Sequence, residues 1–587
     1  MKTLQSLTLP EIGLCTDELL YFRKSPLSLH SLSEHKIIIP KLECVDLFSY
    51  FNAFNVQKWG ESSVPLDLWV RLVGRGKVLV KWIHHESLHF SHTLREDVCE
   101  LSEEGVSIDL GIQVSNLSKG YVAPIVHALD DCVELMGLSY CTPTPAPRDV
   151  KLGIAITHFK REAQALGAVE RLSSGLLKGE FASQAALTVI DNSQTLPAMD
   201  VPGGSIVKNK NYGGSGGFAR GLLHYDLNGT FTHCLFMDDD ASCHVESLKR
   251  AIRFLEFAKD DNTAVFGAML YERAPHIQHE SGAKFSNGCH PIGMGLNFHH
   301  RHCLFDNNSL PVPDYGGWWF FAFPIRKSLT YPFPFFVRGD DVSFCLTNKF
   351  ALKTLNGICS WQENFENKVS PLTTYLDARS HLLHFLTGKT DGSSTDAVRT
   401  LRHFVDDKCM SQLYESAEAG LQALRDVMKG PDFWRENLDM AGKRSEISSF
   451  TKTEKAVSIK LSDLEKISTA REKGRKLKKF GRVFSANGVL LPTIFLRGRP
   501  VLQRRSFSAD KDLTFRFKNI LHYNDESELG YITTYSKVRQ VGISVKKMCL
   551  VLKFKLMYKS LQADYLKAYP ELASKEFWLN EYGQLKG

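Results

Sequence analysis

The sequence lacks several features that would define a class of protein at once. No apolar run reaches the roughly 18–20 residues that cross a bilayer, and the opening segment MKTLQSLTLPEIGL contains no apolar core of signal-peptide length. The 13 cysteines are scattered and form no CxxC pair. This pattern argues against a secreted disulfide framework and favours a reducing cytosol. We therefore expect a soluble or peripherally attached protein.

The composition is that of an ordinary globular chain. Of the 587 residues, 43% are hydrophobic and 23% are charged. Such a chain buries several cores, and its length suits three or four domains of roughly 100–200 residues each. Wholesale disorder is excluded.

The net charge of +7 is concentrated in one late segment. Residues 471–505 contain eleven basic residues and one acid, a net charge of +10, so the rest of the chain carries −3. This distribution argues against a protein that binds nucleic acid over its whole surface, and it predicts a local anionic contact for the late segment.

The pattern of predicted strands and helices changes twice along the chain. Residues 1–148 read as Gly-punctuated strands typical of a β-sandwich, and TPTPAPRD (142–149) marks a boundary. Residues 149–390 alternate apolar strands with helices, which predicts a parallel α/β sheet with functional groups at the carboxyl ends of its strands. In residues 391–587 the strand signals fade, and 396–428 and 455–480 look helical.

The strongest chemical signal is a triplet of acids, Asp238-Asp239-Asp240, directly after the apolar segment CLFM. Three adjacent carboxylates repel one another, and a hard divalent cation such as Mg²⁺ or Mn²⁺ relieves that cost. A solvated acidic turn is the alternative interpretation.

A glycine-rich segment, NYGGSGGFARG (211–221), precedes the triplet by some twenty residues. Glycines let a backbone approach a ligand closely and present its N–H groups. A flexible linker explains the segment equally well by itself, but beside a metal triplet it suggests the diphosphate of a nucleotide.

Two further pairs follow, Trp318-Trp319 and Asp340-Asp341. Tryptophan faces stack on sugar rings, although a core strand is the alternative. One carboxyl of the acid pair is a candidate general base with a raised pKa, and a plain helix N-cap is compatible with that role.

The ordered motifs NYGGSGGFARG, LFMDDDAS, GGWWFFA and FFVRGDD resemble the family-2 galactofuranosyltransferases of cell-wall galactan synthesis. The motif-bearing resemblance covers about residues 151–390. It implies an α/β GT-A (Rossmann-like) catalytic domain at 149–390, an N-terminal β-sandwich at 1–148 and a mostly helical, basic C-terminal domain at 391–587.

The resemblance also implies roles for single residues. Asp341 would be the catalytic base, and Asp238 and Asp240 would hold Mn²⁺ or Mg²⁺ with a third ligand. The acceptor sugar would contact Trp318, Trp319, Asp340 and Glu280. The nucleotide sugar would contact Arg161, Asp191, Asn211, Gly213, Gly214, Ser215, Gly216, Gly217 and Asp239.

One position departs from the family pattern. The family usually supplies a histidine metal ligand after a tryptophan, and here Gln362 follows Trp361. A glutamine carbonyl oxygen is a weaker but acceptable ligand for a hard ion. Glu363, His381 and His384 are alternative ligands.

The function that these observations predict is inverting, metal-dependent transfer of galactofuranose from UDP-galactofuranose to a hydroxyl of a growing cell-surface glycan. Another UDP-hexose is the alternative donor. A non-catalytic glycan-binding protein is a third interpretation, but such a protein has no need of the acid triplet. A nucleic-acid enzyme is disfavoured because the basic segment lies far from the acids and lacks interleaved aromatic residues.

A histidine-rich segment and two late basic segments carry further chemical signals. Six histidines lie between His276 and His302, and they suggest either a zinc site or a polar loop facing the acceptor.

The late segments GRKLKKFGRVF (474–484) and VKKMCLVLKFKLMYKSL (545–561) mix lysines with apolar residues. They predict peripheral attachment to an anionic membrane, on the inner face of the cell membrane, near a lipid-linked acceptor. A solvated helix face is the alternative, and a homo-oligomer is left open.

Overall fold

The structure of the protein is a computed structural model. It describes residues 1–198, 203–240, 242–460, 467–469, 475–504, 510–525 and 527–583. Part of the basic segment, including Arg471, Lys473 and Arg505, lies outside the described residues. No helix in the described ranges combines the length and the apolar composition needed to cross a membrane.

Residues 1–148 form ten antiparallel strands and one short helix, α1 (Val56–Ser62). The strands are β1 (Lys2–Ser6), β2 (Arg23–Lys24), β3 (Leu29–Ser31), β4 (Lys36–Pro40), β5 (Cys44–Asp46), β6 (Asp67–His85), β7 (Ser91–Leu101), β8 (Val106–Gln113), β9 (Tyr121–Ala128) and β10 (Cys132–Thr142). Their order is β2-β5-β9-β6-β10-β4-β3, with β1 beside β10 and with β7 and β8 beside β6.

The long strand β6 changes partners halfway along its length. Its first half pairs with β8 and β10, and from Gly76 onward it pairs with β7 and β9. Gly76 has φ +95°, a conformation that favours glycine. All ten strands are thereby joined in one connected sheet, and the division into a two-sheet sandwich stays a prediction.

The central region, residues 149–390, alternates strands and helices as the sequence predicts. Its strands are β11 (Leu152–His158), β12 (Ala185–Asp191), β13 (Gly204–Lys208), β14 (His233–Asp238), β15 (Thr263–Phe266), β16 (Ala268–Tyr271), β17 (Ala274–Glu280), β18 (Ala283–Phe285), β19 (Cys289–Pro291), β20 (Phe321–Pro324), β21 (Ala351–Lys353) and β22 (Cys359–Gln362). Its helices are α2 (Glu162–Gly175), α3 (Gly213–Asn228), α4 (Val245–Phe257), α5 (His302–Asn308), α6 (Asp340–Asn348) and α7 (Pro371–Leu386).

Seven of these strands form a mixed sheet in the order β13-β12-β11-β14-β20-β15-β21. The neighbours β13, β12, β11 and β14 are parallel, and β20 is antiparallel to both of its neighbours. The apolar strand β11 is almost wholly buried at the centre, as expected of a strand covered on both faces. A smaller sheet, β17-β16-β22, and the hairpin β18-β19 lie outside it.

The C-terminal region combines helices with a further sheet. The helices are α8 (Ser394–Phe404), α9 (Asp406–Met410), α10 (Tyr414–Val427), α11 (Asp432–Glu436), α12 (Ala441–Phe450), α13 (Arg475–Phe484), α14 (Lys537–Leu572) and α15 (Lys575–Glu581). The strands are β23 (Val457–Ser458), β24 (Ser468–Thr469), β25 (Val501–Arg504), β26 (Asn519–Asn524) and β27 (Leu529–Thr534).

The five-stranded sheet of this region corrects the expectation of helix over residues 455–480. Strand β23 pairs with β27 and strand β24 pairs with β25, so helix begins only at Arg475 in the described part of that stretch. Strands as short as two residues leave no period-2 signal in a sequence, because tertiary pairing and not local pattern defines them.

The central sheet is covered differently on its two faces. Alternate residues of β11 and β14, such as Ile154 and Leu235, join a core cluster shared with the N-terminal sheet. The intervening residues, such as Ala155 and Phe236, join a second cluster with α10, α14 and α15. The N-terminal and central regions therefore share one core, and Asn356 adds hydrogen bonds across their boundary to the carbonyls of Tyr50 and Ala53.

Candidate active site

The parallel strands bring their polar carboxyl ends to one edge of the central sheet. In the register of the sheet, His158 of β11 lies opposite Asp191 of β12, and Thr157 lies opposite Asp238 of β14. The acid triplet therefore begins beside the ends of two buried strands, which is where ligands bind in open α/β sheets.

Asp239, the middle acid of the triplet, points into the protein. Its Oδ2 accepts a hydrogen bond from the backbone N–H of Phe159 at 3.0 Å and lies 3.3 Å from His158 Nδ1. Its Oδ1 accepts from Arg161 Nη1 at 3.0 Å. Both oxygens of Asp239 already have partners in the protein, so this side chain stabilises the turn after β14. This structural role differs from the nucleotide contact that the resemblance implies for Asp239.

The outer acids, Asp238 and Asp240, have the surroundings of metal ligands. Burial, followed by the charges of Asp240 and Asp239, raises the pKa of Asp238 to about 8. Asp240 Oδ2 lies 2.6 Å from Arg161 Nη1 and 3.2 Å from Lys368 Nζ. A carboxyl buried among other carboxyls loses this electrostatic penalty when a divalent cation binds, so the donor set fits a hard metal ion.

Gln362 lies close to the triplet through the pairing of its strand. The preceding residue, Trp361, exchanges backbone hydrogen bonds with Ser242, two residues beyond Asp240. The Gln362 side chain is buried, and its Nε2 has no hydrogen-bond partner among the described residues. A buried N–H donor without a protein acceptor is costly, so Nε2 points to an acceptor group in a ligand, and the metal role of the carbonyl oxygen stays a prediction.

The three alternative metal ligands have other surroundings. Glu363 is exposed and accepts a hydrogen bond from Asn367. His381 and His384 belong to α7, where the Nδ1 atoms contact the carbonyl oxygens one turn earlier and both rings contact Phe285.

The acid pair opens helix α6 after Gly339, whose φ of +87° suits glycine. Asp340 is buried, and its Oδ2 accepts a hydrogen bond from Ser215 Oγ at 2.8 Å. Asp341 is less buried and accepts only from the N–H of Val342 among the described hydrogen bonds. Burial, followed by the charge of Asp340, raises the pKa of Asp341 to about 7. A carboxyl with this pKa is suited to act as a base near neutral pH.

Glu280, for which the resemblance implies an acceptor contact, lies at the end of β17. Its side chain is buried, and Oε1 has no hydrogen-bond partner in the described part of the chain. Burial, followed by the charge of Asp341, raises the pKa of Glu280 to about 8. The charge of Asp341 thus acts on the buried carboxyl of Glu280.

The glycine-rich segment is the first turn of α3 and not a free loop, and most of its glycines are needed for close packing. A Cβ on Gly213 would lie 2.1 Å from Phe336 O, and one on Gly217 would lie 2.3 Å from Thr157 Cγ2. Gly216 is similarly enclosed by Tyr212. Only Gly214 has ordinary space, with Asp340 Oδ2 at 3.6 Å. The segment therefore packs α3 against β11, and Ser215 positions Asp340.

Asp191 and Asn211 also form local contacts. The oxygens of the fully buried Asp191 accept from the backbone N–H groups of Ser193, Gln194 and Leu196. Asn211 Oδ1 accepts from Gly213 N at 3.1 Å. Both residues shape the turns at the edge of the sheet, while the half-exposed Arg161 is open to a ligand.

The tryptophan pair is buried, which corrects the expectation of an acceptor platform. Trp318 is 4% exposed and packs edge-on against Phe218, Phe236 and Phe344. Trp319 is 6% exposed, and its Nε1 donates to the Gly267 carbonyl. Stacking on a sugar needs an exposed ring face, whereas both tryptophan rings are buried in the protein core.

Sequence reasoning missed Lys368 and His158. Lys368 contacts Asp240 from a 3₁₀ helix, Phe365–Lys368, that carries no motif. His158 is fully buried between Asp191 and Asp239 at the end of β11. A histidine ending an apolar strand was the one available signal, because strand ends gather at the ligand edge.

The site therefore consists of carboxylates at the carboxyl edge of an α/β sheet, with basic residues beside them.

No protein-family model matches the chain. The chain is similar to galactofuranosyltransferase GlfT2 of Mycolicibacterium smegmatis (strain ATCC 700084 / mc(2)155), with 25% identity over 429 residues, 66% of this chain and 64% of that protein. It is also similar to galactofuranosyltransferase GlfT2 of Mycobacterium tuberculosis (strain ATCC 25618 / H37Rv), with 23% identity over 425 residues, 66% of each chain. The match thus spans just under two thirds of the length of these relatives.

Two solved structures match part of the chain. The mannosyltransferase PcManGT from Pyrobaculum calidifontis, in complex with GDP-Man and Mn²⁺, is 11% identical and covers 53% of this chain and 87% of its own, with a TM-score of 0.28. S. aureus TarS 1–349 is 14% identical and covers 53% of this chain and 94% of its own, with a TM-score of 0.27. These scores are too low to define a common fold.

Proposed function

We propose that the protein is an inverting, metal-dependent glycosyltransferase that transfers galactofuranose from UDP-galactofuranose to a hydroxyl of a growing cell-surface glycan. The observation that carries the proposal is the placement of the Asp238–Asp240 triplet near the Asp340-Asp341 pair, where the charge of Asp340 contributes to the raised pKa of Asp238. The sequence similarity to galactofuranosyltransferases supports the choice of donor.

The carboxylates of Asp238 and Asp240, with the carbonyl oxygen of Gln362, would hold Mn²⁺ or Mg²⁺. Such an ion offsets the negative charge that builds on a departing diphosphate. Arg161 and Lys368, which now contact Asp240, are placed to bind phosphate oxygens of the same leaving group.

Asp341 acts as the general base. Its carboxylate takes the proton of the acceptor hydroxyl while that oxygen attacks the anomeric carbon on the face opposite UDP. The carbon–oxygen bond to UDP breaks in the same displacement, which inverts the configuration. Asp340 is held by Ser215 and keeps the start of α6 in place, and the neighbouring Glu280 is placed to bind acceptor hydroxyls.

The substitution Asp341→Asn tests this assignment. We expect UDP binding to stay near the wild-type value and transfer to fall by about 10²-fold or more, because the amide cannot take the proton. Asp131→Asn, which removes an exposed carboxylate paired with Lys41, is the matched control and should keep its activity. Unchanged turnover in Asp341→Asn contradicts the assignment.

Donor identity is tested separately by comparing UDP-galactofuranose, UDP-galactopyranose and UDP-glucose at equal concentration. The proposal expects the highest kcat/KM with UDP-galactofuranose. A preference for either pyranose donor overturns the donor assignment and keeps the general mechanism. UDP binding that is independent of Mn²⁺, without transfer from any donor, favours a non-catalytic glycan-binding protein.

We also propose that the C-terminal region attaches the enzyme peripherally to an anionic membrane that carries a lipid-linked acceptor. On α13, Leu477, Phe480 and Phe484 are 78%, 61% and 70% exposed beside several lysines. On α14, one edge exposes six apolar residues, Val538, Val541, Val545, Met548, Leu552 and Leu556. Exposed apolar side chains among lysines suit an anionic lipid surface.

A further inference from the structure

Two imidazoles and one carboxylate meet where the N-terminal region contacts the central region. Asp17 Oδ2 lies 3.1 Å from His276 Nδ1 and 2.6 Å from His299 Nε2. The three candidate ligand atoms lie within 4.8 Å of one another. We propose that Asp17, His276 and His299 bind one divalent transition-metal ion, for which zinc is the best match, at a site separate from the Asp238–Asp240 triplet.

The histidines are positioned by backbone pairing. The N–H of Phe298 donates to the carbonyl of His276 at 2.9 Å, and Ile277 forms a bridge with Asn297. Asn297 Oδ1 in turn accepts from the N–H of His299 at 2.9 Å. Both rings are therefore held on one side of this pairing.

The carboxylate comes from a different part of the chain, 259 residues before His276. Asp17 is the N-cap of the 3₁₀ helix Glu18–Leu20, but its side chain makes no cap hydrogen bond. An aspartate in this position ordinarily turns its oxygen to the helix N–H groups. Here the oxygen faces the two histidines instead.

The charges of the three groups are compatible with a bound cation. The two rings stack with centroids 3.9 Å apart and an interplanar angle of 19°, so protonation of both would stack two cations against a single carboxylate. Neutral imidazoles donate N–H groups to Asp17 when no ion is bound, and in the other tautomer the same nitrogens offer lone pairs to a divalent ion whose charge the carboxylate partly balances.

The donor set and its geometry select the kind of ion. Imidazole nitrogen with carboxylate oxygen suits zinc, whereas Mg²⁺ prefers an all-oxygen shell. Zinc bonds of about 2.0–2.2 Å place tetrahedral ligand atoms roughly 3.3 Å apart, so each histidine nitrogen needs to move away from Asp17 Oδ2 by less than about 1 Å. The side chains of Asp17, His276 and His299 are 20%, 27% and 26% exposed, which leaves room for water as a further ligand.

The ion would clamp the N-terminal segment to β17, the strand that ends in Glu280. Glu280 lies four residues beyond His276, roughly 13 Å along an extended strand. The site is thus a tether for a strand that reaches the proposed acceptor site, and it takes no part in the chemistry.

Cobalt titration of the full chain, stripped of metal and kept in excess Mg²⁺, tests the proposal. We expect one equivalent of Co²⁺ to give visible absorption bands, and zinc to displace it. Because loss of even an outer contact typically weakens metal binding 10–100-fold, His299→Gln should weaken it by more than about 100-fold. Asp17→Asn is the second variant, and circular dichroism reports whether each variant is folded.

His302→Gln is the matched control, because His302, Cys303 and Asp306 form the other candidate group among the described residues. This variant and Asp238→Asn should bind Co²⁺ as the wild type does. Wild-type affinity in folded His299→Gln or Asp17→Asn overturns the proposal. Loss of the cobalt bands in His302→Gln or Asp238→Asn, or their absence from the wild type, also overturns it.

Discussion

At the scale of single residues, the pair formed by Asp341 and Glu280 has a consequence for pH dependence. A base must be unprotonated to act, and the pKa of Asp341 is raised to about 7. We therefore expect kcat/KM to rise with pH through about 7 and then level off, as measured at a saturating donor concentration. A profile that is flat from pH 6 to 8 would contradict the role of Asp341.

Glu280→Gln tests the order in which the two carboxyls lose their protons. Burial and the charge of Asp341 raise the pKa of Glu280 to about 8, above the value of about 7 for Asp341, so Glu280 is still protonated while Asp341 titrates. Glu280→Gln should therefore leave the acidic limb of the profile near pH 7. A limb that moves to lower pH would show that Glu280 is already charged when Asp341 loses its proton.

A further prediction at the scale of single residues concerns Gln362 and the choice of metal ion. Its carbonyl oxygen is a hard ligand that tolerates Mg²⁺, whereas imidazole favours transition metals. Gln362→His should therefore raise the ratio of activity in Mn²⁺ to activity in Mg²⁺, and Gln362→Ala should weaken activation by both ions. Equal activation of all three proteins would remove Gln362 from the metal shell.

At the scale of elements, the sequence predicts the parts of the site that depend on local pattern. Strands β11, β12 and β14 are continuous apolar segments that end in polar residues, so both their type and the edge they share follow from the sequence. The burial of Trp318 and the inward turn of Asp239 depend on what packs around them. Such tertiary contacts leave no periodic signal, because the partners are distant in the chain.

The glycines of α3 give a prediction about helix packing. A Cβ at Gly217 would meet Thr157 at 2.3 Å, whereas the nearest atom to a Cβ at Gly214 is 3.5 Å away. Gly217→Ala should lower the free energy of unfolding by about 1–3 kcal/mol, the usual cost of overpacking. Gly214→Ala should leave it unchanged or raise it, because alanine favours helix. Urea unfolding of both variants measures the difference, and equal stabilities would show that α3 does not need this close approach.

At the scale of the whole molecule, the three expected regions are not three independent cores. The N-terminal sheet and one face of the central sheet share a single buried cluster, while helices of the C-terminal region cover the other face. The sequence predicts the boundary near 148 from its prolines, but composition carries no information about which apolar faces meet across that boundary.

The exposed apolar side chains of α13 yield the prediction for membrane attachment. Full burial of a phenylalanine contributes roughly 1.5–3 kcal/mol, so Phe480→Glu with Phe484→Glu should weaken flotation with anionic vesicles by more than about 10-fold. Phe90→Glu is the matched control, since Phe90 is 56% exposed in the turn between β6 and β7. Equal flotation of the double variant and the wild type would exclude α13 as the contact.

The contact between α15 and the start of α3 bears on how the protein is made. Tyr582 donates a hydrogen bond to the carbonyl of Gly216, 366 residues earlier, and Trp578 donates to Pro332. At roughly 5–20 residues per second on the ribosome, about 20–70 s separate the synthesis of the two partners. The turn that carries Ser215 therefore leaves the ribosome long before α15, and these contacts of the central region form only after the α15 segment has been translated.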